Sequence, residues 1–195
     1  MTFKTQGYEV VPDAIPIEIV NFLYEYFLRK RDVVRILYDT KYVQTHPTHM
    51  IGSWEDEQIP NTYSHYGDIA MDTLLANALP IVETITKMRL IPAYSYARIY
   101  KKGDVLVAHV DRPECEISTT LFLGGDEWEI YLEGKAILPK VGEMIIYKGC
   151  DLVHWRDAFE GEKCVQVFLH YVPYTKNAKF YDGREMLGLP MEFMK

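Results

Sequence analysis

The sequence predicts a mostly β fold, a jelly roll (cupin-like double-stranded β-helix) with N-terminal helices packed on one face. Three observations predict it. From Ala93 onward Tyr94, Tyr96, Arg98 and Tyr100 alternate with Ala93, Ser95, Ala97 and Ile99, which is strand periodicity. Short strand-like segments follow at about 105–110, 116–123, 127–132, 135–138, 143–147, 151–154 and 164–172, punctuated by Gly103, Gly124, Gly125, Gly134, Gly142, Gly149 and Gly161. Aromatic residues make up 13% of the 195, with 15 tyrosines the largest share, and aromatics favour a pleated surface.

The preceding residues read differently. Tyr8, Glu9, Val10 and Val11 suggest a short strand. Ile15, Ile19, Phe22, Leu23, Tyr26 and Phe27 recur at three-to-four spacing, which predicts a helix over 14–30 with Pro16 in its first turn. Residues 33–43 suggest one or two strands, and 44–65, rich in Pro, Thr, His and acids, suggest a loop. A second amphipathic helix is predicted over 66–87, with Ile69, Leu74, Leu75, Ala78, Ile81, Val82 and Ile85 on one face and a bend at Pro80. No repeat or linker divides the chain. One domain over 1–195 follows: a helical part at about 1–92, a jelly roll at about 93–173 and a tail at about 174–195.

Composition narrows the function classes. Lys+Arg 21 against Asp+Glu 28 gives a net charge of −7, unsuited to a nucleic-acid coat or an anionic-membrane binder, though not to a local pocket for one small anion. The apolar runs read as too short to span a bilayer, and the first residues lack a signal-peptide pattern, so a cytoplasmic setting is expected. Cys115, Cys150 and Cys164 cannot all pair and form no Cys-x-x-Cys, which favours reduced thiols.

The chemistry-bearing residues sit in the β half. In His109-Val110-Asp111 the two polar side chains are two residues apart on an extended segment, so both point to one face and can chelate one ion. His154 follows 43 residues after Asp111, at the end of another predicted strand. Two imidazoles and a carboxylate with the remaining positions open form the facial triad of non-haem iron(II) oxygenases. A bare H-x-D also occurs by chance, and a surface turn at Asp111 with a core histidine at His154 is the other reading. Nine residues beyond His154, Lys163 opens a strand; a cation there can meet the distal carboxylate of a dicarboxylic acid whose other end chelates the metal.

With Tyr100 nine residues before His109, the H-x-D, the second histidine and Lys163, the sequence resembles the Fe(II)/2-oxoglutarate-dependent dioxygenases, especially their prolyl 4-hydroxylase-like branch, over residues 94–173. The run Gly7 to Ala14 resembles the start of phytanoyl-type relatives. The resemblance implies His109, Asp111 and His154 as iron ligands, Lys163 on the C5 carboxylate of 2-oxoglutarate, and Tyr100 lining the same pocket. It implies consumption of 2-oxoglutarate and O₂, with ascorbate in support, release of succinate and CO₂, and hydroxylation of a small-molecule or peptide substrate such as a prolyl or other amino-acid side chain. Asp111 argues against the halogenase variant.

In some relatives the co-substrate's cation is an arginine, so Arg156 rivals Lys163, although its place two residues after His154 suggests the rim of the metal site. Thr120 shares an unusually polar strand face with Ser118; the resemblance implies that this strand faces the oxo-acid pocket, and cross-strand pairing explains both residues as well. Arg98 shares a face with Tyr100 and, if that face points inward, must meet a substrate anion or an Asp/Glu; Arg112 is placed to reach substrate or a local carboxylate. Trp155 is expected to pack beside the metal, His65 with Trp54 and Tyr63 to form a loop that could lid the pocket, and His46-x-x-His49 to be a solvated pair. The alternatives are a cupin-type metal enzyme that does not use 2-oxoglutarate and a non-catalytic jelly-roll binding protein. A demethylase acting on nucleic acid is disfavoured by the acidic balance.

Overall fold

A computed structural model describes residues 3–43 and 51–175; His46, His49 and nearly all of the tail lie outside the described residues. A short helix α1 (Phe3–Gln6) leads into β1 (Tyr8–Val11), α2 (Ile17–Asp39), β2 (Tyr63–Tyr66) and α3 (Ile69–Thr86). Eight strands follow: β3 (Leu90–Lys101), β4 (Leu106–His109), β5 (Ile117–Gly125), β6 (Ile130–Leu132), β7 (Lys135–Ile137), β8 (Met144–Lys148), β9 (His154–Arg156) and β10 (Lys163–Pro173). They form two antiparallel sheets, one of six strands ordered β1-β8-β5-β10-β3-β2 and one of four ordered β4-β9-β6-β7. This is the expected jelly roll.

The larger sheet is buried on both faces. Its outer face presents Ala97 and Ile99 from β3, Leu121 from β5, and Val165, Val167 and Leu169 from β10. Val20, Leu23 and Phe27 of α2 and Met71, Leu74, Leu75 and Val82 of α3 pack onto that face in one continuous core. The helices therefore cover one face, as their apolar stripes require. By length and mean hydropathy (1.2) α3 could cross a bilayer, contrary to the reading that every apolar run is too short; here its apolar stripe packs on β3.

Three expectations are corrected at the N-terminal half. Residues 33–39 continue α2 instead of starting strands. Val34 lies seven residues beyond Phe27 and keeps its buried stripe, while Val33 and Ile36 are exposed. The helix starts at Ile17, with Pro16 as its extended N-cap. The 44–65 loop gives up its last residues to β2, whose Tyr63, Ser64, His65 and Tyr66 pair with Ile99, Arg98, Ala97 and Tyr96 of β3. Pro80 lies within α3, exposed, and the helix continues to Thr86. In the β half the segment expected at 151–154 is displaced: His154 begins β9 rather than ending a strand.

One buried charge joins the helical layer to the sheet. Asp68 is the N-cap of α3, its Oδ1 accepting from the N–H groups of Ala70 (2.8 Å) and Met71 (3.2 Å). Its Oδ2 meets the Lys30 ammonium and the Tyr26 hydroxyl (2.8 Å) from α2 and His65 Nδ1 (3.2 Å) from β2. His65 is thus a packing residue rather than part of a lid. Trp54, against Tyr38, Tyr63 and the Arg35 guanidinium, likewise belongs to the helix packing. Burial alone would raise the Asp68 carboxyl, but the hydrogen bond from His65 and the Lys30 charge hold it well below the usual carboxylate range.

Asp68→Ala should cost about 3 kcal/mol in urea denaturation, from a lost cap and a stranded ion-pair partner. Asp68→Asn should keep the capping share. Because the folded carboxyl titrates below its unfolded value of about 3.9, the charge-dependent stability is complete above about pH 5 and fades as pH falls through the folded value. Asp68→Asn should therefore flatten the acid limb of the stability curve.

Candidate metal centre

A cavity of about 400 Å³ lies between the two sheets. The strand parity that sends Ala97 and Ile99 outward sends Tyr94, Tyr96, Arg98 and Tyr100 inward, and on β10 it does the same for Cys164, Gln166, Phe168 and His170. The smaller sheet closes the other side with Leu106, His109, Ile130 and His154.

His109 ends β4 and pairs directly across from His154 on β9, with ring centroids 4.3 Å apart. Asp111 follows as the chain leaves β4, its N–H donating to the Gly149 carbonyl (2.8 Å). His109 Nδ1 faces the Val107 carbonyl at 2.7 Å and His154 Nδ1 faces that of Leu152 at 2.9 Å. A carbonyl can only accept, so each Nδ1 carries the proton and each Nε2 presents a bare lone pair. Both lone pairs point at one carboxylate oxygen: Asp111 Oδ1 lies 3.7 Å from His109 Nε2 and 3.4 Å from His154 Nε2. Metal bonds of about 2.0–2.2 Å put neighbouring donors about 3 Å apart, so the spacing is that of a ligand set. A cation between these three donor atoms would answer the charge of the carboxylate. The donor chemistry fits a first-row divalent ion, with one face of three donors and the cavity side open.

Electrostatics support this arrangement. Burial lowers the His109 imidazole below its ordinary value, keeping it neutral. Burial would raise the Asp111 carboxyl, but the close approach of His154, the His170 imidazole and the Ser118 hydroxyl brings it below its usual range. Ser118 Oγ donates to Asp111 Oδ2 at 2.7 Å and lies 2.9 Å from His170 Nδ1. A second group of donor atoms, Asp111, Cys115 and His170, shares that carboxylate. Burial pushes the Cys115 thiol up to about 12 and pulls the His170 imidazole down to about 4.

Of the remaining expected residues, Tyr100 lines the cavity, fully buried against Trp128. Lys163 does not reach the cavity. It has the parity of Val165 and Val167, so its ammonium lies over the Tyr24 ring of α2, 5.6 Å from the centroid, on the opposite face of the sheet. Arg156 does face the interior, two residues after His154 on β9 and 0% exposed, behind Tyr100 and Tyr147, which line the cavity. Its Nη1 donates to the Trp128 carbonyl (2.5 Å), whereas Nε and Nη2 meet no acceptor. Thr120 points inward but donates to Gln166 Oε1 (2.9 Å). Arg98 is 1% exposed and meets Asp56 (2.8 Å), the Tyr96 hydroxyl (2.6 Å) and Gln58 (3.3 Å), so the local carboxylate is its partner. Arg112 donates to the Tyr66 hydroxyl (2.8 Å) and lies over the Tyr94 ring at the cavity wall. Trp155 stacks on Tyr131, 5.0 Å away, on the outer side of the smaller sheet rather than beside the triad.

Sequence reasoning missed Asp56, Tyr147 and His170, all of which line the cavity. For His170 the signal was present, since it continues the inward parity of Gln166 and Phe168.

No protein-family model and no curated protein matches the chain. Solved structures do. A prolyl-4-hydroxylase from Pseudomonas putida matches with a TM-score of 0.64 at 15% identity, over 89% of this chain and 96% of that one. HygX from Streptomyces hygroscopicus, with nickel and 2-oxoglutarate bound, gives 0.65 at 13%, over 92% and 87%. The viral collagen prolyl hydroxylase of Paramecium Bursaria Chlorella virus-1, a 2-oxoglutarate complex, gives 0.61 at 11%, over 88% and 98%. The fold is that of the 2-oxoglutarate/iron(II) oxygenases.

A side chain at Gly149 tests the triad's geometry directly. Its Cβ would fall on Asp111 Oδ2 and the Cys115 carbonyl, and 2.7 Å from Ser118 Oγ. Gly149→Ala should weaken Co(II) or Ni(II) binding about 10–100-fold, the usual effect of disturbing a ligand's support. Isothermal titration measures it, with circular dichroism to verify the fold.

Proposed function

We propose that this protein is an Fe(II)- and 2-oxoglutarate-dependent dioxygenase that hydroxylates a small-molecule or peptide substrate. The observation that carries the reading is the pairing of two incomplete sites in one interior. Two histidines and a carboxylate face each other beside the cavity, and a fully buried guanidinium whose Nε and Nη2 meet no acceptor lies two residues after His154 on the same strand. A buried charge without a partner is costly, so both sites ask for a ligand. A divalent metal answers the first and a carboxylate the second. 2-Oxoglutarate is a dicarboxylate whose oxo-acid end chelates a metal. HygX, of like fold, is described with nickel and 2-oxoglutarate bound, and the P. putida protein as a prolyl-4-hydroxylase.

His109, Asp111 and His154 would hold iron(II). Bound iron, 2-oxoglutarate and O₂ supply decarboxylation to succinate and CO₂ with oxygen insertion into a substrate C–H bond. Arg156, rather than Lys163, would take the distal carboxylate. Arginine's planar fork suits this, and its charge is not already answered as that of Arg98 is by Asp56. Tyr100 assists as a donor: burial keeps its hydroxyl protonated. Arg112 and the stacked Tyr66 and Tyr94 rings, 4.3 Å apart, would form the substrate side beside Asp111. The guanidinium offers donors for a carbonyl or carboxylate, and the rings offer apolar cover.

Incubation with Fe(II), 2-oxoglutarate and ascorbate should yield succinate, and Asp111→Ala should abolish it. Arg156→Met should raise the 2-oxoglutarate Kd about tenfold or more, since a hydrogen bond to a charged group is worth about 1.5–3 kcal/mol. Lys163→Ala should leave it unchanged. A wild-type protein that loads no iron and gains no thermal stability from 2-oxoglutarate would overturn the reading. Metabolite and peptide pools screened for a 16 Da gain would then identify the substrate.

A further inference from the structure

The two oxygens of Asp111 have different surroundings, and the difference has a chemical consequence. Oδ1 is the atom that faces both histidine Nε2 lone pairs. Oδ2 points away from them, to Ser118 Oγ at 2.7 Å. Ser118 is fully buried on β5, and its oxygen also lies 2.9 Å from His170 Nδ1 on β10 and 3.0 Å from the Cys115 carbonyl.

The proton count fixes the direction of this chain. An ionised carboxylate only accepts, so the serine's single proton goes to Oδ2, its shortest contact. The serine oxygen must then accept, and His170 Nδ1 must carry the hydrogen. The sequence of donors therefore runs His170 to Ser118 to Asp111. The pairs Cys115–Tyr94 (2.9 Å) and Tyr94–His170 (ring centroids 4.5 Å) hold the other sides of the imidazole and the thiol. Gly149 leaves the space in which Oδ2 and Ser118 meet.

We infer that Ser118, oriented by His170, is a positioning residue that keeps Asp111 a one-oxygen metal ligand. The inference rests on the metal-ligand assignment made above. In a roughly octahedral centre, two imidazoles and one carboxylate oxygen leave three positions. A chelating oxo acid would take two, and O₂ would need the last. A carboxylate free to rotate onto both oxygens would take that last position. The Ser118 hydrogen bond holds Oδ2 away, which would leave that position open for a diatomic gas.

Nitric oxide, a stable O₂ surrogate, reads that position without turnover. Anaerobic protein loaded with Fe(II) and 2-oxoglutarate would be titrated with nitric oxide and followed by electron paramagnetic resonance. Wild type should bind it; Ser118→Ala should bind it about tenfold or more weakly, in the range of second-sphere effects. Ser118→Thr, which keeps the hydroxyl, should recover most of the loss. His170→Phe, which keeps the ring but removes the donor, should give an intermediate value. Nitric oxide affinity in Ser118→Ala within twofold of wild type would overturn the inference. Should Ser118→Ala fail to fold, the wild-type protein suffices. Infrared difference spectra of ¹³C-aspartate-labelled Co(II) protein against apoprotein should show the wide carboxylate splitting of one-oxygen binding, and a narrow, two-oxygen splitting would overturn the inference. Failure of wild type to take up Fe(II) or Co(II) at all would instead overturn the metal-ligand assignment, and the inference with it.

Discussion

Burial of both faces of one sheet is the constraint on which the rest of this molecule depends. β3 and β10 run side by side in the middle of the larger sheet, and each alternates between two interiors that demand different chemistry. The outward residues meet helices α2 and α3 and are uniformly apolar. The inward ones face a cavity and include Arg98, Gln166, His170 and four rings. Because side-chain period in a strand is two, a slip of one residue would exchange these sets. It would drive Arg98 into the helix interface and Ala97 into the cavity. The helical layer thus fixes the register, and the register delivers the polar groups to the site.

The smaller sheet contributes less area and more ligands. Its β4 and β9 are short, yet their pairing sets His109 opposite His154, so a single backbone register fixes two candidate metal donors. The third donor lies just past the strand end, where the chain turns and Asp111 is tied back to Gly149. Supporting groups come from the other sheet, through Ser118 and His170. The triad is therefore clamped from both layers, and a change in their separation would alter the donor distances before it altered the fold. Such precision demands the close packing seen around β5, where every residue from Ile117 to Gly124 is buried.

Much of this was legible in the sequence, for a physical reason. The H-x-D pair needs only strand periodicity to share a face, and alternation at Tyr94–Tyr100 announces which residues point in. The failures also have a cause. Lys163 was placed by its distance from His154, whereas its direction is set by parity with Val165 and Val167, which the sequence also contains. Those apolar residues can be recognised as outward only once the helices are known to cover that face. Arg156 gives the reverse case: proximity to a ligand suggested a position at the rim, but its shared parity with His154 carries it inward and it is fully buried. The strand reading of 33–39 failed because β-branched residues at Val33, Val34 and Ile36 imitate strand propensity, while only Val34 keeps the helix's buried stripe. Asp56 could not be found at all. It joins Arg98 from 42 residues upstream through a segment with little regular structure, and no local pattern encodes such a meeting.

Charge closes the argument. The chain carries a net −7, yet two arginines, Arg98 and Arg156, are fully buried between its sheets. Arg98 is answered by Asp56, which leaves Arg156, fully buried, and Asp111, half-buried, as one positive and one negative charge without an ion-pair partner of fixed charge. Arg156 is out of reach of solvent and Asp111 is only partly exposed, so a guest that completes either one lowers an electrostatic cost. A divalent ion beside Asp111 and a dianion reaching from that ion to Arg156 would neutralise the whole interior, since the ion's two charges match the dianion's two and the arginine matches the aspartate. Either guest alone would leave a buried surplus. Binding of metal and co-substrate should for that reason be mutually reinforcing, each lowering the electrostatic cost of the other. An acidic exterior does not oppose this, because exposed carboxylates beyond a Debye length of about 8 Å are screened from the cavity by salt.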